Sequence, residues 1–282
     1  MKVSVTSYSY SQAYSDQFTI FDAMDHAKAH GADGFEFAGF DVPEGMTKED
    51  RARELRAYSE KIGLPIAAYA IGANFLNEED LSDDVERACR EVDIAEILGA
   101  PVMRHDVAWG FPGWYKGVRT FSAVLPRIAE GCRRVTEYAE KRGIRTCTEN
   151  HGFFAQDADR IVALVTEVGN PNYGALCDMG NFLCADDNSA IAVGKVAPFT
   201  FHVHAKDFLV KSGMEVNPGA GWFASRGGNY LRGTIIGHGM VPVAQDIKAA
   251  GYDGYVTVEF EGMEKTLQAI EIGIANLKRF IG

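Results

Sequence analysis

The sequence is short of positive charge, has no paired cysteine motif and contains no long apolar run. Each shortage closes off a class of function. Across 282 residues, 28 Lys and Arg face 39 Asp and Glu, a formal net charge of −11. A protein that grips phosphates needs a basic face, and an acidic surplus repels nucleic acid and anionic membrane surfaces, so neither is expected as a partner. No stretch of roughly 18 consecutive apolar residues occurs, which leaves no candidate membrane span. The start MKVSVTSYSYSQ lacks the apolar core of a secretory signal, so a cytosolic location is expected. Cys89, Cys132, Cys147, Cys177 and Cys184 are odd in number and form no CxxC, which suits reduced thiols used in packing. No GxGxxG follows the first β-rich run, which weighs against an open dinucleotide-binding sheet.

What is present is a rhythm. Eight short β-rich runs, at 2–6, 34–37, 65–69, 101–105, 144–149, 173–178, 200–206 and 254–260, alternate with longer stretches whose apolar residues recur every three or four positions. The connections HGADGFEF, KIGLPIAAY, LGAPVMRH, KRGIRTCTE and AGYDGYVTVEF each place a helix-ending Gly just before an apolar run. Eight successive βα units close naturally as a parallel (β/α)8 barrel, an α/β fold whose usual length of about 250 residues matches this chain. No composition break divides it, so residues 1–282 are expected to form a single domain. One long segment, at about 207–240, is rich in Gly and carries Trp222, Phe223 and Tyr230. Loops beyond roughly 12–15 residues are usually functional or disordered, and an active-site lid is the expectation here, with a solvated excursion or a subunit contact in a homo-oligomer as the other readings.

In such barrels chemistry gathers at the C-terminal ends of the strands. Four consecutive strand ends carry metal-capable side chains: Glu149 in CTENHG, Asp178 in LCDMGN, His204 in FHVHAKD and Glu259 in TVEFEG. One carboxylate at a strand end often only caps the next helix, but four in succession point to a shared cation. Three carboxylates and one imidazole favour Mn²⁺ first, with Mg²⁺ and Co²⁺ as alternatives, over a sulfur-bound zinc.

This ordered series resembles the sugar-phosphate isomerase/epimerase superfamily, with its xylose isomerase-like TIM barrel, over essentially the whole chain. The resemblance implies that Glu149, Asp178, His204 and Glu259 bind a divalent metal and that Glu149 and Glu259 double as catalytic acid and base. The implied activity is a sugar or polyol isomerase or epimerase. It would transfer a proton α to a carbonyl through a metal-stabilised enediolate, since a weakly acidic C–H needs both a placed base and a cation. Ketose 3-epimerases usually carry a His three residues after the strand-six Asp and an Arg six after the strand-seven His, where this chain has Asn181 and Val210. That difference motivates an alternative, a metal-dependent lyase or dehydratase on a keto-sugar, keto-inositol or 3-keto-glycoside. A non-catalytic sugar-binding barrel would be expected to lose a ligand, and all four are here. An endonuclease IV-like nuclease shares the fold but relies on more histidines at the mouth than a chain with seven in total supplies.

Expected to contact substrate are Glu36, His105, His151, Lys206, His238 and Trp109. Glu36 could instead hold a network at the mouth, His151 could bond a backbone carbonyl, and Lys206 could form a strand-end ion pair. Gly237 and Gly239 around His238 suggest a tight turn that closely approaches something.

Overall fold

The computed structural model describes residues 1–282 apart from 215, 243–247, 249 and 250. Eight parallel strands close into a barrel: β1 (Lys2–Thr6), β2 (Gly34–Ala38), β3 (Ile66–Ile71), β4 (Val102–His105), β5 (Arg145–Glu149), β6 (Tyr173–Asp178), β7 (Thr200–Ala205) and β11 (Tyr255–Val258). The ring closes where β1 pairs with both β2 and β11. Every expected run forms its strand, with ends shifted by a residue or two.

Helices α1 (Ile20–Ala29), α2 (Lys48–Ile62), α3 (Leu81–Leu98), α4 (Phe121–Glu140), α5 (Ala158–Val168), α6 (Ser189–Val196) and α7 (Thr266–Ile281) surround the strands. The helix expected just before β11 falls largely outside the described residues. Thr19, Thr47, Asp80, Thr120, Asp157 and Asn188 start helices by accepting a bond from a backbone N–H two or three positions on. The five connecting glycines, Gly31, Gly63, Gly99, Gly143 and Gly251, all take positive φ, between 65° and 88°. Such a conformation strains a residue with a Cβ, so the recurring Gly is what lets each chain segment turn back into the barrel.

One apolar core lies between helices and strands, while Ala68, Val102, Cys147 and Leu176 form a separate cluster packed by Phe201 inside the barrel. Alternation along β5 then carries Glu149 from the Cys147 face to the open end. The five cysteines are free thiols, four of them buried.

The 207–240 segment differs from a structureless excursion. Asp207–Lys211 (β8), Phe223–Ala224 (β9) and Tyr230–Thr234 (β10) build a small antiparallel sheet in the order β8-β10-β9. DFLVK is a three-residue apolar run between two charges, too short to stand out from β7, which it directly continues.

Candidate metal centre at the barrel mouth

The phase of each barrel strand decides which side chains enter the mouth. β6 and β7 pair with Asp178 beside His204, β7 and β11 with His204 beside Thr257, and the row β5, β6, β7, β11 therefore ends in Glu149, Asp178, His204 and Glu259. Ligand atoms from these four buried residues lie within 4.8 Å of one another. His204 Nδ1 is 3.0 Å from Glu259 Oε2 and 4.0 Å from Glu149 Oε1. Its other nitrogen, Nε2, is 2.9 Å from both oxygens of Glu36. An imidazole held from behind by a carboxylate presents its free nitrogen in a fixed direction, the usual arrangement behind a metal-binding histidine.

Of the two readings of Glu36, its contacts are those of the network at the mouth. It is fully buried, and a second imidazole, His202 Nε2, binds it at 2.8 Å while also lying 2.8 Å from Thr257 Oγ1. Burial alone would raise the Glu36 carboxyl, but His204 and His202 outweigh it and hold it well below the usual carboxylate range.

Charge at the mouth is unbalanced. Glu36, Asp106, Glu149, Asp178 and Glu259 are five buried carboxyl groups, against Arg104, Lys206 and the His204 imidazole. Arg104 Nη2 lies 2.6 Å from Glu149 Oε2 and 3.0 Å from Asp106 Oδ1. Lys206 Nζ lies 3.2 Å from Glu259 Oε2, 3.2 Å from Glu261 Oε2 and 3.6 Å from Asp178 Oδ2. That last oxygen is buried with no hydrogen-bond partner, a costly state for a carboxylate. Burial pushes Asp178 well above the ordinary carboxylate range, where the neighbouring Glu259 and Glu149 also drive it against the pull of Lys206. For Glu259 the sign reverses: Lys206 and His204 overcome burial and hold it well below that range. An orphaned carboxylate oxygen, a surplus of negative charge and four converging donors fit a hard divalent cation.

A cavity of about 230 Å³ opens over this cluster, bordered by Tyr8, Arg104, Glu149, His204, Lys206 and Glu259 among others. Lys206 and His151 therefore face it. His151 Nδ1 is 3.0 Å from Asp106 Oδ1, and its ring meets Trp109 edge-on with centroids 5.6 Å apart. Trp109 is half exposed and borders neighbouring clefts rather than this cavity.

Two expected contacts are not at the mouth. His105 is fully buried between Phe75 and Tyr173 and donates from Nδ1 to the Asp106 carbonyl, because register pairs Arg104 with Cys147 and turns His105 outward. Arg104, its neighbour, takes the inward position. His238 is exposed, and the glycines beside it approach the protein's own Asp207. That carboxylate accepts the backbone N–H groups of Phe208, Gly237, Gly239 and Val241 at 2.8–3.0 Å, and a Cβ at Gly239 would collide with it.

Two further residues at the mouth went unread in the sequence as contributors. Tyr8 donates to Glu261 Oε1 at 2.9 Å. Asn181 donates from Nδ2 to Glu149 Oε1 at 2.9 Å and lies 3.4 Å from Lys206 Nζ, so the strand-six position that differs from ketose 3-epimerases orients a carboxylate. Val210 is exposed on β8.

A closed parallel (β/α)8 barrel with an acidic and imidazole cluster at its C-terminal mouth defines the class: a TIM barrel with a candidate cation site. Residues 24–280 match the family model of the xylose isomerase-like TIM barrel, and the chain belongs to that family. This fits the sugar-phosphate isomerase/epimerase superfamily. No curated protein matches it in sequence. Among solved structures it is similar to D-psicose 3-epimerase with D-tagatose from Clostridium cellulolyticum H10, at 17% identity and a TM-score of 0.73 over 100% of both chains. It is also similar to the probable 3-DHS dehydratase AsbF from Bacillus anthracis, at 17% identity and a TM-score of 0.73 over 99% of both. A xylose isomerase-like TIM barrel protein from Mycobacterium smegmatis in complex with magnesium shares 17% identity, with a TM-score of 0.71 over 99% of this chain and 96% of that one. At these identities the likeness is one of fold. No described helix is long and apolar enough to cross a membrane.

Proposed function

We propose that the chain is a cytosolic, divalent-metal-dependent isomerase or epimerase of a small sugar or polyol. The observation that carries this reading is the convergence of Glu149, Asp178, His204 and Glu259 around an orphaned buried carboxylate oxygen. These four would hold the cation, Mn²⁺ first and Mg²⁺ or Co²⁺ otherwise. A divalent cation held there would supply the positive charge that makes a proton next to a carbonyl more acidic and offsets the charge of the enediolate.

The chain's own groups supply the rest. Glu149 and Glu259 flank the row of four, so a substrate lying over it meets one carboxylate on each side. One would remove the proton and the other would deliver one from the opposite direction. Arg104 and Asn181 fix both oxygens of Glu149, which keeps the base aimed. Lys206 offsets the charge of Glu259 and reaches the cavity, where it would donate to a substrate oxygen. The His204 imidazole is held well above its ordinary pKa, since Glu36 and Glu259 overcome the effect of burial, and a cation would take the place of its Nδ1 proton. The β8–β10 sheet would serve as a lid, with its base tied down by Asp207.

A second outcome has its own support. A larger cleft of about 660 Å³ adjoins the mouth, shares Tyr8 and Ala38 with it, and is walled by Tyr14, Phe18, Phe21 and Phe40. An aromatic cleft beside a sugar-sized cavity favours a glycoside, so elimination from a 3-keto-glycoside is the alternative. The test of the first reading is Mn²⁺-dependent turnover of a ketose panel by the parent and by Glu149→Gln and Glu259→Gln. A loss of at least about 100-fold in each variant, the scale of one general acid or base, is expected. Parent-level turnover in both variants, or in chelated enzyme, sinks it.

A further inference from the structure

Away from the mouth, α1 ends in MDHAKAHG, which sets His26 and His30 four residues apart on one helical face. α7, the last helix, brings Glu271 against them. Nε2 of His26 and Nε2 of His30 converge on the same carboxylate atom, Glu271 Oε1, at 3.3 Å and 3.5 Å, with the two rings 4.5 Å apart. Both separations exceed the usual N–H···O range of about 2.7–3.2 Å. A tetrahedral metal with bonds of about 2.0–2.2 Å spaces its ligand atoms about 3.3–3.6 Å apart, which is the spacing of both imidazole nitrogens from the carboxylate oxygen, and all three atoms lie within 4.8 Å of one another. The far side of the His26 ring is anchored, with Nδ1 3.1 Å from Tyr10 Oη, so Nε2 remains directed at the shared point.

We propose that His26, His30 and Glu271 form a second divalent-cation site, specific for zinc and its late first-row neighbours, that fastens the first helix to the last. Donor chemistry separates it from the mouth: two imidazoles and one carboxylate suit Zn²⁺, Ni²⁺ or Cu²⁺, whereas the oxygen-rich cluster suits Mg²⁺ or Mn²⁺. Its place in the fold gives it a use. The barrel closes where β1 meets β11, and a cation shared by α1 and α7 ties together the helices that flank that seam.

The test is zinc titration of the full-length protein. In an Asp178→Asn/Glu259→Gln background, which disables the mouth cluster, one zinc per chain should still bind. Adding His30→Ala or Glu271→Gln should weaken it at least tenfold and remove the zinc-induced rise in Tm. His30 and Glu271 are each partly exposed, so both variants should fold. Unchanged zinc affinity in the two variants, or no zinc bound in the mouth-disabled background, overturns the proposal. Should that background not fold, the count in the parent decides: two zinc ions falling to one in His30→Ala supports the site, and two retained refutes it. The reading of the mouth fails separately, if Mn²⁺ binds the mouth-disabled protein as it binds the parent.

Discussion

Arg104 stands between Asp106 and Glu149 with almost no exposure, and removing one partner of such a buried pair leaves charge uncompensated. Arg104→Met should therefore destabilise the fold by about 3–5 kcal/mol in urea unfolding. Arg104→Lys keeps the charge but loses the two-pronged grip, and should cost less while still lowering turnover through a misaimed Glu149. Parent-like unfolding of Arg104→Met would remove Arg104 from this role. His105 makes a different prediction. Burial pushes its pKa down to about 4, so between the unfolded value near 6.5 and that folded value the unfolded chain binds more protons. Its contribution is intact above about pH 6.5 and is lost as pH falls toward 4, by up to about 3 kcal/mol. His105→Phe should flatten the dependence of Tm on pH across that window, and an unchanged slope would show that another group governs it.

At the scale of elements, the segment after β7 depends on two carboxylates. Asp207 gathers four backbone N–H groups, and Asp186 accepts from Ser225 Oγ, the Gly227 N–H and Asn229 Nδ2. Burial disfavours the charge on Asp186, but those donors more than compensate and keep its pKa low. Asp186→Ala should release the turn at 225–229, seen as faster limited proteolysis there with the barrel uncut; equal cleavage rates would count against the tether. These elements also show what could be read from residues alone. The eight strands and their glycine punctuation were legible because period-two apolar runs and helix-ending glycines are local signals. The four strand-end donors were legible for the same reason. His105 was chosen where Arg104 takes the inward position, since which of two adjacent residues points inward depends on the pairing of β4 with β5, a non-local fact. Glu36 was left between two readings because its partner, His204, is 168 residues away. β8 and β10 escaped notice because they pair across a glycine-rich segment.

For the whole molecule, the net charge of −11 excludes partners but says little about where the charge matters. Five buried carboxyl groups against Arg104, Lys206 and the His204 imidazole concentrate acidic groups at the mouth, so a bound cation should stabilise the entire barrel. Adding Mn²⁺ to chelated protein should raise Tm, and the rise should be lost in Asp178→Asn/Glu259→Gln. The aromatic cleft beside the mouth gives a test of substrate size: Phe40→Ala should raise KM for a 3-keto-glycoside and leave a free ketose unaffected. The central claim is proton transfer next to a carbonyl, and it is tested most directly by incubating metal-loaded enzyme with ketoses and keto-glycosides in D₂O and following the carbon-bound protons by NMR. The account predicts deuterium at a carbon adjacent to the carbonyl, dependent on the cation and abolished in Glu149→Gln and Glu259→Gln. Conversion of a substrate without solvent deuterium at such a carbon, or exchange that persists in both variants, would contradict it.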